Sequence, residues 1–391
     1  MHRASSLNST EQARRIAKRR LPRSVFDFIE GGTEESRTVR ANREGFQEIG
    51  FRPRVPQDHL PRDLRTTVLG RELAMPVITT PAGYIRMAHP DGELAVARAA
   101  EEAGIAVGIS TLASVAIEDV TAVASDVWFQ LYMIGGRAGS AAAIDRAKRA
   151  GCRVLVVTAD LADNTGGNDR RPLPKPPDRV TVATALRFAP EMIWRPWWAA
   201  SFLRGGLSLT APNATGRDGR PVGMSQGGPE LRAHPPTWDE IAWIREQWDG
   251  PLVLKGVTDT EDARRAVDAG VDAISVSNHG GNGLDGAPAA IRVLPEIADA
   301  VGDRIEVLLD GGVRRGGDVV KAVALGARAV LIGRPYIWAV AAGGQAGVAS
   351  LLALYRRNID ATLRLLAVRS VADLDPSVLR MPTCACGCAK S

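Results

Sequence analysis

In the stretch "SVSNHGGNGLDG", Ser275 to Gly286, a histidine follows an apolar alternation and precedes two glycines. Imidazole takes and releases a proton near neutral pH, and glycines let the backbone come close to a ligand, so His279 is a candidate proton acceptor. Other polar residues share its placement just after an apolar run: Gln130 and Tyr132, Thr158 and Asp160, Lys255, Ser277 and Asn278, Asp310, and Gly333 with Arg334. A His, an Asp, a Lys and a Tyr converging on one rim would equip a site for proton transfer beside a bound cofactor. Two glycine stretches, "DGGVRRGGD" at 310–318 and "IGRP" at 332–335, follow the last two apolar runs. Free backbone amides at such helix starts are fixed donors to an anion, which implies a phosphorylated ligand. Taken singly, Asp160 reads as well as a helix cap, and Lys255 as the partner of a neighbouring acid.

These residues share a rim only if the chain folds so that apolar runs end together. Eight runs have strand length, starting at Met75, Ile105, Val127, Arg153, Leu252, Asp272, Ile305 and Ala329. One phrase recurs among them, an Ala-rich helical segment, a glycine, then a β-branched run, with Gly104, Gly151, Gly270 and Gly326 as the glycines. A glycine there suits a helix C-cap with positive φ immediately before a strand. Strands apolar on both faces that alternate with helices predict a parallel sheet covered all round, and eight such units predict an α/β fold of the (β/α)8 TIM-barrel type. In that fold the active site forms at the C-terminal ends of the strands, and the loops after strands seven and eight commonly hold phosphate.

The spacing predicts an N-terminal helical segment over 1–65, the barrel over 66–375 with an insertion after the fourth strand at about 162–236, and a cysteine-containing tail over 376–391. Regularity returns at Thr237, whose spacing to Glu240 is that of a capping box. The chain has 391 residues, 45% of them hydrophobic, with a formal net charge of +5. Its bases are interspersed with acids, so no nucleic-acid partner is expected. No unbroken apolar run has the length of a membrane span and the N-terminus lacks the apolar core of a signal peptide, so no membrane span and a cytoplasmic location are expected. Four cysteines do not make a disulfide framework. Three of them, Cys384, Cys386 and Cys388, crowd the tail, but a closed zinc site needs four ligands and no metal is expected.

The motifs "LPRSVFDFIEGG", "WFQLY", "TAD", "LKGV", "SNHGG…LDGAPA", "LLDGGVRRGGDVVKAVALGA" and "IGRP" resemble those of the FMN-dependent α-hydroxy acid oxidases and dehydrogenases, from about residue 12 to residue 375. The resemblance implies FMN as the cofactor and an oxidoreductase activity. It implies that His279 is the base that takes the substrate's proton, that Asp160 stabilises the imidazolium, and that Lys255 is the cation beside the flavin ring. By the same resemblance Ser110, Gln130, Thr158 and Ser277 contact the ring, and Tyr132 faces the substrate. Asp310, Gly312, Arg314, Gly333 and Arg334 would hold the ribityl chain and phosphate.

The substrate end departs from that family's pattern. Where the hydroxy acid oxidases place an arginine on the substrate carboxylate, this chain has Asn282; the position of a second such arginine falls near Gly167, with the nearest cations, Arg170 and Arg171, shifted; and a tyrosine is replaced by Phe28. An amide cannot replace a bidentate guanidinium without losing most carboxylate affinity. One branch is similar in these respects, the pre-mycofactocin synthases, with "SNHGGN" and "PPTWDEIAWIREQWDGPLVLKGV" especially close. That branch implies oxidative deamination of a peptide-derived amino-lactam to an α-keto amide, in the biosynthesis of a peptide-derived cofactor, with Asn282 and Phe28 at the substrate. Two other readings stand beside it: an L-α-hydroxy acid dehydrogenase gripping its acid through Arg86, Arg170 or Arg171, and a flavin-binding protein without catalysis. The partners expected are a small-molecule or peptide-derived substrate, an unidentified electron acceptor and further copies of the chain in a homo-oligomer.

Overall fold

The computed structural model describes residues 6–55, 60–161, 189–204, 210–215 and 221–382. Eight parallel strands close into a barrel: β1 (Val77–Thr79), β2 (Val107–Ser110), β3 (Val127–Leu131), β4 (Val154–Thr158), β5 (Leu252–Val257), β6 (Ala273–Val276), β7 (Glu306–Asp310) and β8 (Ala329–Ile332). Each pairs with the next in sequence, and Val330 opposite Val77 closes the ring between β8 and β1. The predicted (β/α)8 barrel is therefore the observed fold. The four glycines of the repeated phrase have φ between +65° and +103°, each just before a barrel strand.

Strand period decides which side chains reach the rim. Within β3, Trp128 belongs to the cluster inside the barrel and Phe129 and Leu131 to the layer beneath the helices, so Gln130 also points inward. The same alternation carries Val154 and Val156 up to Thr158, Val253 up to Lys255, Ala273 up to Ser275, and Leu308 up to Asp310. Each inward column is apolar below and polar at its top. A two-stranded hairpin, Thr66–Val68 with Arg71–Leu73, closes the lower end by inserting Val68 and Leu73 into the inner cluster. The apolar layers below give the polar top a dry, close-packed floor.

Three helices precede the barrel: α1 (Thr10–Arg20), α2 (Arg23–Glu30) and α3 (Arg37–Glu48). The outer ring comprises α4 (Gly92–Ala103), α5 (Ile117–Thr121), α6 (Gly136–Ala150), α9 (Trp238–Gln247), α10 (Thr260–Asp268), α11 (Ala290–Val301), α12 (Gly316–Ala324) and α13 (Arg334–Leu366). Between β4 and β5 the described elements are α7 (Pro196–Arg204), a short antiparallel pair at Thr210–Thr215 and Pro221–Gly223, and α8 (Met224–Ala233). As its spacing suggested, Thr237 caps α9, its Oγ1 accepting from the Glu240 N–H at 3.3 Å.

One helix among the described residues, α13, is long and apolar enough to cross a membrane by length and composition. Its backbone breaks at Gly343 and Gly344, and it packs on α1 and α4 with Trp338, Tyr355 and Leu363 buried. That is the pattern of a helix whose apolar surface is spent inside the protein.

Candidate active site

At the C-terminal rim lies a cavity of about 1080 Å³, lined among others by Ser110, Tyr132, Lys255, His279, Asn282, Asp310, Gly312, Arg314, Gly333, Arg334 and Phe28. Ligand pockets typically run to about 300–1,000 Å³, so this one admits a large cofactor together with a substrate. Gln130, Thr158, Ser277 and Asp160 are set just behind its lining, buried or nearly so.

His279 has a left-handed backbone, φ 54°, unusual for a residue with a side chain. Its Nδ1 lies 2.7 Å from Oδ1 of Asp160. A carboxylate there holds the proton of the neutral ring on Nδ1, leaving Nε2 as the free acceptor. The Tyr132 hydroxyl lies 3.5 Å from that Nε2. Space for Asp160 comes from a bulge in β5: Lys255 pairs with Ser275 but Val257 with Val276, and Gly256 between them has φ 113°. A Cβ on Gly256 would sit 2.5 Å from the Asp160 Cβ, so only glycine fits.

Beneath the histidine runs a nearly buried ionic network. Lys255 Nζ lies 3.3 Å from an oxygen of Asp310 and 3.6 Å from one of Asp160, and donates to Ser277 Oγ at 2.9 Å. Ser277 Oγ has one proton, donated to Asp310 Oδ1 at 2.7 Å; the same oxygen accepts from the His279 N–H at 3.1 Å. Burial alone would raise the Asp160 carboxyl, but Lys255 and His279 together outweigh it and hold it down at about 2. Burial likewise pulls Lys255 down, and Asp160 and Asp310 reverse that, so the ammonium is held above its ordinary value. The Tyr132 phenol is pushed up by burial and by Asp160 and Asp310, which keeps it a neutral donor. A fixed cation, a fixed carboxylate and a poised imidazole thus meet within one shell, an arrangement able to remove a proton beside an electron acceptor.

The far end of the cavity is cationic. Burial lowers Arg314 to about 10, with the neighbouring Arg334 second, and burial lowers Arg334 as well. Arg334 thus adds to the depression of Arg314, while Glu30 and Asp310 act on Arg334 in the opposite sense; two guanidiniums at one end of the cavity favour an anion there. Arg334 donates to Ile29 O at 3.0 Å, to Gly280 O at 2.8 Å and to Gly31 O, leaving two of its five N–H groups free of these bonds. With Gly311 to Val313 and Gly333 beside them, this end fits a phosphate. The middle fits a flavin ring: Gln130 accepts from Ser110 Oγ at 2.7 Å, yet its buried Nε2 finds no acceptor among the described residues. A ring carbonyl in the cavity would supply one.

The chain's other sequence-singled residues divide. Asn282 lines the cavity, but its Nδ2 donates to His279 O at 2.9 Å, closing its own loop. Phe28 lines the mouth and is 46% exposed. Arg86 does not line the cavity, and Gly167, Arg170, Arg171 and the three tail cysteines lie outside the described residues. Two contributors escaped the sequence reading. Asn42 exchanges amide hydrogen bonds of 2.8 and 2.9 Å with Asn278, pinning the histidine loop to α3. Its signal was a polar residue on the buried stripe Thr38, Asn42, Phe46. Arg195, from the insertion, also reaches the cavity mouth.

Barrel and site together define an oxidoreductase of the flavin-binding (β/α)8 class. Residues 17–381 match the family described as FMN-dependent dehydrogenase, and the chain belongs to that family. It is 48% identical over 377 residues to the pre-mycofactocin synthase of Mycolicibacterium smegmatis strain ATCC 700084 / mc(2)155, covering 95% of this chain and 93% of that one. It is 38% identical to the L-lactate dehydrogenase of Caulobacter sp. strain K31, covering 95% and 98%. Among solved structures it is similar to one described as a monotopic membrane protein, (S)-mandelate dehydrogenase, with a TM-score of 0.86 and 34% identity over 96% of this chain and 100% of that one. An FMN-dependent enzyme is thereby shown, and a flavin-binding protein without catalysis is set aside.

Proposed function

We propose that this enzyme oxidatively deaminates a peptide-derived amino-lactam to an α-keto amide. FMN, when bound, supplies the acceptor for two electrons. His279 Nε2 takes the proton leaving the substrate nitrogen, and Asp160, ionised at 2.7 Å from Nδ1, stabilises the imidazolium without itself becoming protonated. The amine carbon loses two electrons and two protons in all and becomes an imine; water adds to it and ammonia leaves. Tyr132 donates a hydrogen bond to the substrate's polar group, and Lys255 holds positive charge against the ring. Arg314, Arg334 and the glycine loops would hold the phosphate, and Gln130, Ser110 and Lys255 the ring.

The observation that carries this reading is Asn282, where the related hydroxy acid oxidases are expected to hold a guanidinium. Its amide is tied to the His279 carbonyl and presents no positive charge to a carboxylate. A neutral lactam carbonyl needs none. The similarity to a pre-mycofactocin synthase supports the same substrate class. A hydroxy acid reading requires a replacement grip; of its three candidates Arg86 is not on the cavity wall, and Arg170 and Arg171 lie outside the described residues.

The test is anaerobic bleaching of the yellow FMN-loaded protein. A 3-aminopyrrolidin-2-one bearing a hydroxybenzyl group should reduce the flavin rapidly, while lactate, glycolate and mandelate reduce it slowly. Rapid reduction by any of the three simple acids, with none by the amino-lactam, would overturn the proposal.

A further inference from the structure

Behind the cavity wall lies a buried carboxyl outside the catalytic group. Glu93, in the first turn of α4, is only 3% exposed, and its Oε1 accepts two backbone hydrogen bonds, from the Ile85 N–H at 3.2 Å and from the Ser114 N–H at 2.9 Å. Ile85 belongs to the segment that follows β1, and Ser114 to the one that follows β2. Both segments form part of the wall, with Gly83, Tyr84, Ile85 and Leu112 lining the cavity. One oxygen thus ties two neighbouring rim segments together from inside the protein.

The backbone held by this tie is strained. Tyr84 has φ 57° and ψ 36°, a left-handed conformation that a bulky side chain keeps only where its surroundings over-determine it. Three successive amides do so here: Tyr84 N–H donates to Leu112 O at 3.0 Å, Ile85 N–H to Glu93, and Arg86 N–H to Ser114 Oγ at 3.4 Å. Without the carboxyl, the amides of Ile85 and Ser114 lose their acceptor in a buried place, where an unpaired N–H is costly, and the segment gains a reason to rearrange. The second oxygen, Oε2, is buried and finds no partner among the described residues. Burial pushes the carboxyl above its ordinary value, and the amides offset only part of that. The tie therefore depends on where an oxygen stands and not on a negative charge.

We propose that Glu93 is a positioning residue for the cavity: through the amides of Ile85 and Ser114 it holds Tyr84 and the segment after β1 against the space where the flavin ring fits. It stands behind the lining and acts through those two segments. The role concerns the wall alone and is the same whether the substrate is an amino-lactam or a hydroxy acid.

The test compares Glu93→Gln, Glu93→Asp and Glu93→Ala with the parent as FMN-loaded full-length protein. Glutamine keeps an oxygen at the same reach, aspartate withdraws it by one methylene, and alanine removes it. Amide hydrogen exchange reads the wall directly, and the recovery of flavin fluorescence on dilution reads how firmly FMN is held. The Asp and Ala variants should exchange faster around Ile85 and Ser114, with β5 to β7 unchanged, and should hold FMN at least about tenfold more weakly. The Gln variant should match the parent in both measurements. Neither readout involves a substrate, so the result stands apart from the fate of the amino-lactam. If the Ala variant does not fold, the Asp variant carries the comparison. Parent-like exchange and FMN retention in the Asp variant would overturn the proposal. So would a Gln variant as impaired as the Asp one, because charge would then be what matters, or faster exchange throughout the barrel, because Glu93 would then serve stability alone.

Discussion

The floor of the site and its mouth are built on opposite terms. The floor stands on strand ends: Lys255 on β5, Asp310 ending β7, Asp160 and Ser277 just past β4 and β6, all nearly or fully buried and joined by short polar contacts. The mouth is assembled from α2, the histidine loop and the insertion, with Phe28 half exposed and Asn282 bonded only within its own loop in the contacts seen here. Strands locked in a barrel cannot shift one side chain without moving the layers below it, whereas a loop residue changes at little cost. One floor can therefore serve several substrates, and the identity shared with both a pre-mycofactocin synthase and a lactate dehydrogenase fits that division.

Several measurements would break or sharpen this contrast. On the floor, His279→Ala should slow substrate-driven flavin reduction by about 10²–10⁴-fold in anaerobic stopped flow, with FMN content unchanged. Undiminished reduction would remove the histidine from the chemistry. Next, Lys255→Met leaves Asp160 and Asp310 buried without their cation, and denaturant unfolding should show a loss of about 3–5 kcal/mol. A loss below about 1 kcal/mol, as for an exposed pair, would show that the floor is less tightly coupled than its distances indicate.

At the mouth the expected effects are smaller and of another kind. Asn282→Arg should raise the rate of reduction by mandelate or lactate by about tenfold, the equivalent of about 1.4 kcal/mol, while stability changes little. No gain with any hydroxy acid would mean that specificity is set elsewhere. The smallest effect is on acid stability. Asp160 is held at about 2, below its ordinary 3.8, so it contributes stability that is complete above about pH 4 and lost as pH falls toward 2. Lys255 is shifted upward, so its contribution is complete below its ordinary 10.5 and fades only above that. Unfolding curves across pH 2–4 should be flatter for Asp160→Asn than for the parent protein.

Much of the floor was legible because strand period and strand ends are local properties. The eight apolar runs predicted the barrel, and reading the residue after each run collected Gln130, Thr158, Lys255, Ser277, His279 and Asp310. Their division of labour was not legible. Ser277 reads as a ring contact in sequence, yet it lies behind the wall as the hydroxyl shared by Lys255, Asp310 and the His279 backbone. Asn42 stayed hidden because its partner, Asn278, is 236 positions away.

The amino-acid order by itself determined the alternation of helix and strand, the glycine stops, and the residue type that tops each strand, because each depends on near neighbours along the chain. Only the tertiary structure decided that Asp160 takes His279 rather than a helix end, that Lys255 holds two acids at once, and that Arg314 and Arg334 line the same end of one cavity. Barrel closure brings those groups together in a buried, low-dielectric space, where the sign and distance of each neighbour set its charge and its partner.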